Sequence, residues 1–179
     1  MPKPSFRTRR CPAGASRIIL PRIDSQSVVV PSKADDVYLA FSDPAALVAW
    51  LPPGDMTGRV LEYDFREDGR YRIELSYAGD TADVGKTTGR TDVSKGRFLA
   101  LEPGKRIVQS VEFESADPAF AGEMRLTWSL EAVPAGTRVT VTAESVPRGI
   151  TKADHEEGLR STLDNLSQFL AGDSTRPAK

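Results

Sequence analysis

Few residues in this chain have types and spacing that could do chemistry. The first candidate is GDTADVGKT at 79–87, whose Gly85-Lys86-Thr87 has the look of a phosphate-binding loop. Such a loop cradles phosphate oxygens on backbone N–H groups while its lysine reaches the terminal phosphates. The spacing is against it, because Gly79 and Gly85 have one residue more between them than that loop allows. Asp80 and Asp83 would repel phosphate where Lys86 would attract it. A phosphate loop also leaves a buried parallel strand and enters a helix. Here RYRIELSY (70–77) before it alternates polar and apolar, and TGRTDVSKGRF (88–98) after it reads as another strand. The stretch is expected to be a long hairpin loop at a sheet rim.

The second candidate is His155, the only histidine. No G-x-S-x-G occurs, so any Ser-His-acid triad has to use it. It falls in the first turn of a predicted final helix, in phase with Leu159. Two roles fit: a helix-end residue with a polar partner, or a polar group at a cavity mouth that transfers a proton near neutral pH. No catalytic residue is assigned on this basis. The third is Gln109, a polar residue in the apolar phase of its strand, which needs partners in protein, water or ligand. Trp50, Tyr71, Tyr77, Phe98, Phe113, Phe120 and Trp128 fall on predicted inner faces or in rim loops. With Met124, Leu159 and Leu163 they make either an ordinary core or the wall of a ligand cavity, in which tyrosine hydroxyls and indole N–H groups are the sparse polar points. By contrast Arg72, Glu74, Glu123, Arg125 and Glu131 lie in the outer phase, where cross-strand pairing accounts for them.

The totals restrict what these residues can serve. The chain has 179 residues, with 24 Lys+Arg against 25 Asp+Glu, so bulk charge draws it to neither nucleic acid nor an anionic membrane. One cysteine, Cys11, makes no internal disulfide and, with one histidine, no structural zinc site; neither metal nor cofactor is expected. A reducing, cytoplasmic compartment is in keeping with this, and no apolar run is long enough for a spanning helix. Residues 1–22 carry Lys3, Arg7, Arg9, Arg10, Arg17 and Arg22 and no acid. No apolar segment follows Arg9-Arg10, so the stretch is expected to be a disordered basic tail and not an export signal. One domain over 23–171 and a frayed end over 172–179 complete the expected organisation.

The elements that must position the candidates follow from periodicity. SQSVVVPS (25–32) predicts a strand stopped by Pro31. Ser32 with Asp35 has the form of a capping box, so a short helix should start at Lys33, with Val37, Ala40 and Phe41 as its apolar face. Asp43 and Pro44 then open a second short helix that Pro52-Pro53 ends. Alternation in 70–77, 106–115, 122–132 and 137–145 predicts antiparallel strands with one wet face, with turns at Asp68-Gly69, Pro103-Gly104 and Ala135-Gly136. From Thr151, with Asp154 as a second capping box, His155, Leu159, Thr162, Leu163, Leu166, Phe169 and Leu170 recur at helical spacing until Gly172. That long amphipathic helix is the element that can cover the apolar face of the sheet.

This order resembles the helix-grip fold of the START-related SRPBCC superfamily, an α+β architecture in which a curved antiparallel β-sheet wraps around a long C-terminal helix, with two short helices after the first strand. VVVPSKADDVYLAFSDPAALVAWLPP resembles its entry segment, GRFLALEPGKRIVQSVEF its central hairpin, and MRLTWSLEAVPAGTRVTVTAESV its final hairpin. DHEEGLRSTLDNLSQFL resembles its gripping helix. Within that superfamily the chain is most similar to the branch homologous to the activator of the heat-shock chaperone ATPase. The resemblance implies a binding domain for a small apolar or aromatic ligand, in a hydrophobic cavity between sheet and helix. It leaves open a cyclase, dehydratase or hydrolase acting in that cavity through His155, a tyrosine and water. A chaperone-interacting regulatory module is a further alternative, and a protein partner or a homodimer stays open.

Overall fold

In a computed structural model, which describes residues 22–79 and 85–172, seven strands form one antiparallel sheet with three helices. The strands are β1 (Ile23–Val30), β2 (Thr57–Tyr63), β3 (Arg70–Ser76), β4 (Thr91–Glu102), β5 (Arg106–Phe113), β6 (Met124–Val133) and β7 (Gly136–Glu144). The helices are α1 (Ala34–Ser42), α2 (Pro44–Trp50) and α3 (Lys152–Leu170). Spatial order is β1-β7-β6-β5-β4-β3-β2, so the first strand closes on the last and β1 and β2 are the two edges. This is the α+β, helix-grip architecture. The basic tail expected over 1–22 lies outside the described residues except for Arg22, as does the frayed end from 173.

Alternation fixes the concave face. Register pairs Tyr71 with Gly96, Phe98 with Gln109, Ile107 with Trp128, and Trp128 with Val141, so these side chains share one side of the sheet. Asp24, Gln26, Val28 and Val30 continue it across β1. On the outer side Arg59–Glu74 and Arg138–Glu131 are cross-strand ion pairs, as charge alternation predicts. Arg72 reaches farther, holding Glu114 with two bonds of 2.8 and 2.7 Å.

Helix ends follow their caps, with one exception. The Asp43 carboxylate accepts from the Ala45 N–H at 2.9 Å and Pro44 opens α2. Thr151 accepts from the Asp154 N–H at 3.1 Å, and its hydroxyl donates to the Asp154 carboxylate at 2.6 Å. The box expected at Ser32 and Asp35 does not form: Lys33 is the N-cap and no side chain caps α1. Ser32 stands one position before that N-cap, and its carbonyl accepts the Thr137 hydroxyl at 2.7 Å. A second difference is β2, which sequence periodicity does not predict. It is an edge strand with no fully buried residue and a bulge between Val60 and Glu62, which breaks its alternation. Phe169, expected on the inner stripe of α3, lies on its exposed side at 38 %.

Helix α3 buries Leu159, Thr162, Leu163 and Leu166 and is fastened at its first turn and near its middle. Near its middle three side chains take the turn after α2: Thr162 donates to Leu51 O at 2.9 Å, Asn165 to Pro52 O at 2.7 Å, and Ser161 accepts from the Gly54 N–H at 2.8 Å. Its first turn is bound to β1 through Asp24. These bonds set how far the helix can stand off the sheet.

Candidate functional site

The centre of the molecule is aromatic. Phe41 of α1, Trp50 at the end of α2 and Trp128 of β6 pack edge to face, with ring centroids 4.8 Å (Phe41–Trp50), 5.1 Å (Phe41–Trp128) and 5.9 Å (Trp50–Trp128) apart. Phe98 meets Tyr63, Phe65 and Tyr71 at 5.0–5.5 Å. Edge-to-face contact sets the positive ring edge against a negative face, so each pair adds to the burial of area alone.

Between these groups lies a small cavity of about 20 Å³. Of the twelve residues expected to line a cavity, it brings together Tyr71, Phe98, Gln109 and Trp128. Phe41, Leu47, Leu51, Tyr63 and Ile73 complete the wall. Sequence reasoning did not assign these five to a cavity wall, because phase tells which side chains face inward and not which of them border a gap. The space suffices for about one water molecule. Trp50 backs the cavity through Trp128 without lining it, and Met124, Leu159 and Leu163 are plain core. Phe120 sits in a short 3-10 turn, Pro118–Phe120, against the loop at Gly149.

The polar groups around the cavity are specific. Tyr71, 3 % exposed, sends its hydroxyl across β4 to donate to the Ser110 carbonyl at 2.6 Å. Gly96 makes this passage: a Cβ there would stand 1.9 Å from Ser110 O and 2.8 Å from the Tyr71 oxygen. The same hydroxyl accepts from Gln109 Nε2 at 3.3 Å, which answers what a polar residue does on this face. Burial pushes the Tyr71 and Tyr63 hydroxyls far above the ordinary phenol value, so both stay neutral donors. Tyr63 donates to Phe41 O at 2.5 Å and Trp50 to Ala40 O at 3.1 Å. The Trp128 indole nitrogen is buried with no partner among the described residues.

Tyr77 and Phe113 meet elsewhere, at the rim. The Asp92 carboxylate, 4 % exposed, accepts from the Lys86 N–H at 2.5 Å, from the Lys86 ammonium, and from the Tyr77 hydroxyl at 3.2 Å. The Lys86 ammonium also lies 5.1 Å from the Phe113 ring centroid. Burial and then the Asp92 charge push the Tyr77 hydroxyl up to about 12. The lysine of the phosphate-loop-like stretch is thus committed to an internal carboxylate, between two antiparallel strands and with no helix after it.

His155 lies at the opposite end of the concave face. Its Nδ1 is 2.8 Å from Asp24 Oδ2. Asp24 is fully buried and also receives Arg22 through bonds of 2.9 and 2.5 Å and Lys152 at 3.4 Å. Burial alone would raise the Asp24 carboxyl, but the Arg22 and His155 hydrogen bonds outweigh it and hold it well below the ordinary carboxylate value. His155 does not line the cavity. Asp24 was missed by sequence reasoning, although its place in the inner phase of β1 was a signal.

Comparisons with known proteins bear on the whole of this assembly. A family model described as Activator of Hsp90 ATPase homolog 1-like protein matches residues 31–171. No curated protein matches the chain. Among solved structures, a protein from Chromobacterium violaceum is 29 % identical, with 83 % of this chain and 96 % of that one covered and a TM-score of 0.73. A protein from Rhodobacter sphaeroides is 20 % identical, covering 83 % and 91 %, with a TM-score of 0.66. DynU16, a putative protein in the dynemicin biosynthetic locus, is 20 % identical over 84 % of this chain and 48 % of its own, with a TM-score of 0.62.

Proposed function

The chain belongs to the family of activator of Hsp90 ATPase homolog 1-like proteins, and on that premise we propose that it is a binding domain for a small apolar or aromatic molecule held against the concave sheet face, at a cavity walled by α1, α2 and the strands and not by α3 as the resemblance implied. The observation that carries this is the uneven burial of the concave face. Val139, Val141, Ala143 and Trp128 are closed over, while Leu75, Tyr77, Phe113 and Leu126 on the same face are only partly buried. Apolar surface of this kind, beside a cavity with a few polar groups, is what a ligand of modest size would cover. The cavity itself has room for about one water, so the body of the ligand lies along the less covered strands and only its tip reaches inward. The likeness to DynU16, a putative protein in a biosynthetic locus, is in keeping with a small-molecule role.

The test is native mass spectrometry of the protein purified from its own host, with titration of an apolar fluorescent probe. Saturable binding near one-to-one, with a change in tryptophan emission, is the expected result. No bound molecule and no probe binding at any accessible concentration would overturn the reading and put a protein-interaction module in its place.

A further inference from the structure

We propose that the interior carries a seat for a single hydrogen-bond-accepting oxygen, with the Trp128 indole N–H as its donor; a water fills it in the free protein and a carbonyl oxygen of a neutral ligand fills it in the complex. The second half rests on the binding reading above and names the ligand class. Trp128 is 2 % exposed, and its Nε1 is the buried side-chain polar atom that no described residue satisfies. A phenylalanine could fill much of the same apolar space without this uncompensated burial, so the bare N–H calls for an acceptor. Trp50, packed against it, shows the ordinary solution, since its own Nε1 has Ala40 O.

The surroundings say what the acceptor is. Trp128 lines the cavity of about 20 Å³, which has the size of one oxygen-centred group. Tyr63 and Tyr71 have already spent their hydroxyl protons on Phe41 O and Ser110 O, and the Gln109 amide sends one of its two N–H groups to Tyr71. The donor group with no partner at all among the described residues is the Trp128 indole. No charged side chain lines the cavity, so a carboxylate or phosphate would lie there without a counter-charge. The class that fits is a neutral, apolar or aromatic ketone or a similar carbonyl compound, its oxygen at the indole and its body toward the partly covered side chains of β5 and β6.

A matched pair of probes tests this: 2-acetylnaphthalene and 2-isopropenylnaphthalene, which differ in a C=O against a C=CH₂ of nearly the same shape. Wild-type protein should bind the ketone about five- to tenfold more tightly, the worth of one neutral hydrogen bond. In Trp128→Phe that ratio should fall to about one, whatever the loss of wall area does to the affinity of both probes alike. Equal affinities in the wild type, or a ratio that survives the substitution, overturns the ligand class. If neither probe binds, the binding reading fails and the seat is decided on the wild type alone by nitrogen-15 NMR of the indole N–H. A nuclear Overhauser contact to a long-lived water supports the seat, and an indole without one overturns it. The NMR arm needs no variant, so it holds even where Trp128→Phe does not fold.

Discussion

The Asp24 carboxylate and the His155 imidazole meet at 2.8 Å across 131 positions of sequence, tying the first strand to the first turn of the last helix. Asp24 is the hub of this contact, because Arg22 and Lys152 converge on it too and Arg22 also donates to Ile150 O at 2.6 Å.

Asp24→Asn should therefore cost about 2 kcal/mol at neutral pH, since it takes the charge out of the bonds from Arg22, Lys152 and His155, while the exposed Lys152 and partly exposed Arg22 can turn to water. The pH dependence follows in sign. The folded-state value of Asp24 is held below its ordinary 3.8, so its contribution is fully present above that value and is lost as pH falls beneath it. Urea denaturation of both proteins between about pH 7 and about pH 3 checks this: the gap between them should narrow toward the acid end. A constant gap would mean that Asp24 does not carry its charge in the fold.

Gly96→Ala should destabilise by at least about 3 kcal/mol, because the new methyl meets backbone that cannot give way. Tyr71→Phe should not rescue it. The nearer obstacle is the Ser110 carbonyl at 1.9 Å, not the Tyr71 oxygen at 2.8 Å. Thermal unfolding of the single and double variants decides, and recovery in the double variant would contradict this account.

Lys86→Ala should cost about 1–2 kcal/mol through the loss of the Asp92 pair and the Phe113 contact. ATP should shift the melting temperature of neither protein, since Lys86 is already bound to Asp92. An ATP-dependent shift that disappears with Lys86 would restore the phosphate-loop interpretation.

The two capping candidates separate sequence pattern from structure. Thr151→Ala should cost about 1 kcal/mol, the worth of an N-cap, whereas Ser32→Ala should stay within about 0.5 kcal/mol. Denaturant midpoints compare them. A Ser32 loss as large as that at Thr151 would show that α1 is capped after all.

These pairs also show what was legible in the sequence. Strict alternation placed β3, β5, β6 and β7 and their inner faces, because a period of two survives wherever one side is wet. It could not place β2, whose bulge between Val60 and Glu62 interrupts that period. Tyr71, Phe98, Gln109 and Trp128 were found together because phase predicts face. Tyr63 and Leu47 were not, because which of two core residues borders a gap depends on packing across elements far apart in sequence. Ser32 has the local pattern of a cap, but α1 starts one residue later than the pattern implies, with Lys33 in the cap position.

The pairing of β1 with β7 has a consequence for how the chain is made. Ser25 finds its partner Val141 O 116 positions later, and Asp24 waits still longer for His155. A ribosome releases the first strand well before anything exists to pair with it. Until β7 and α3 emerge, its valines have only solvent or a chaperone for company, and the Asp24 carboxylate has Arg22 alone of its three partners. Such distant pairing raises the entropy of closure and slows folding. The nascent chain is exposed to misassociation through β1 in particular, and a circular permutant that places β1 directly after α3 should shorten that interval.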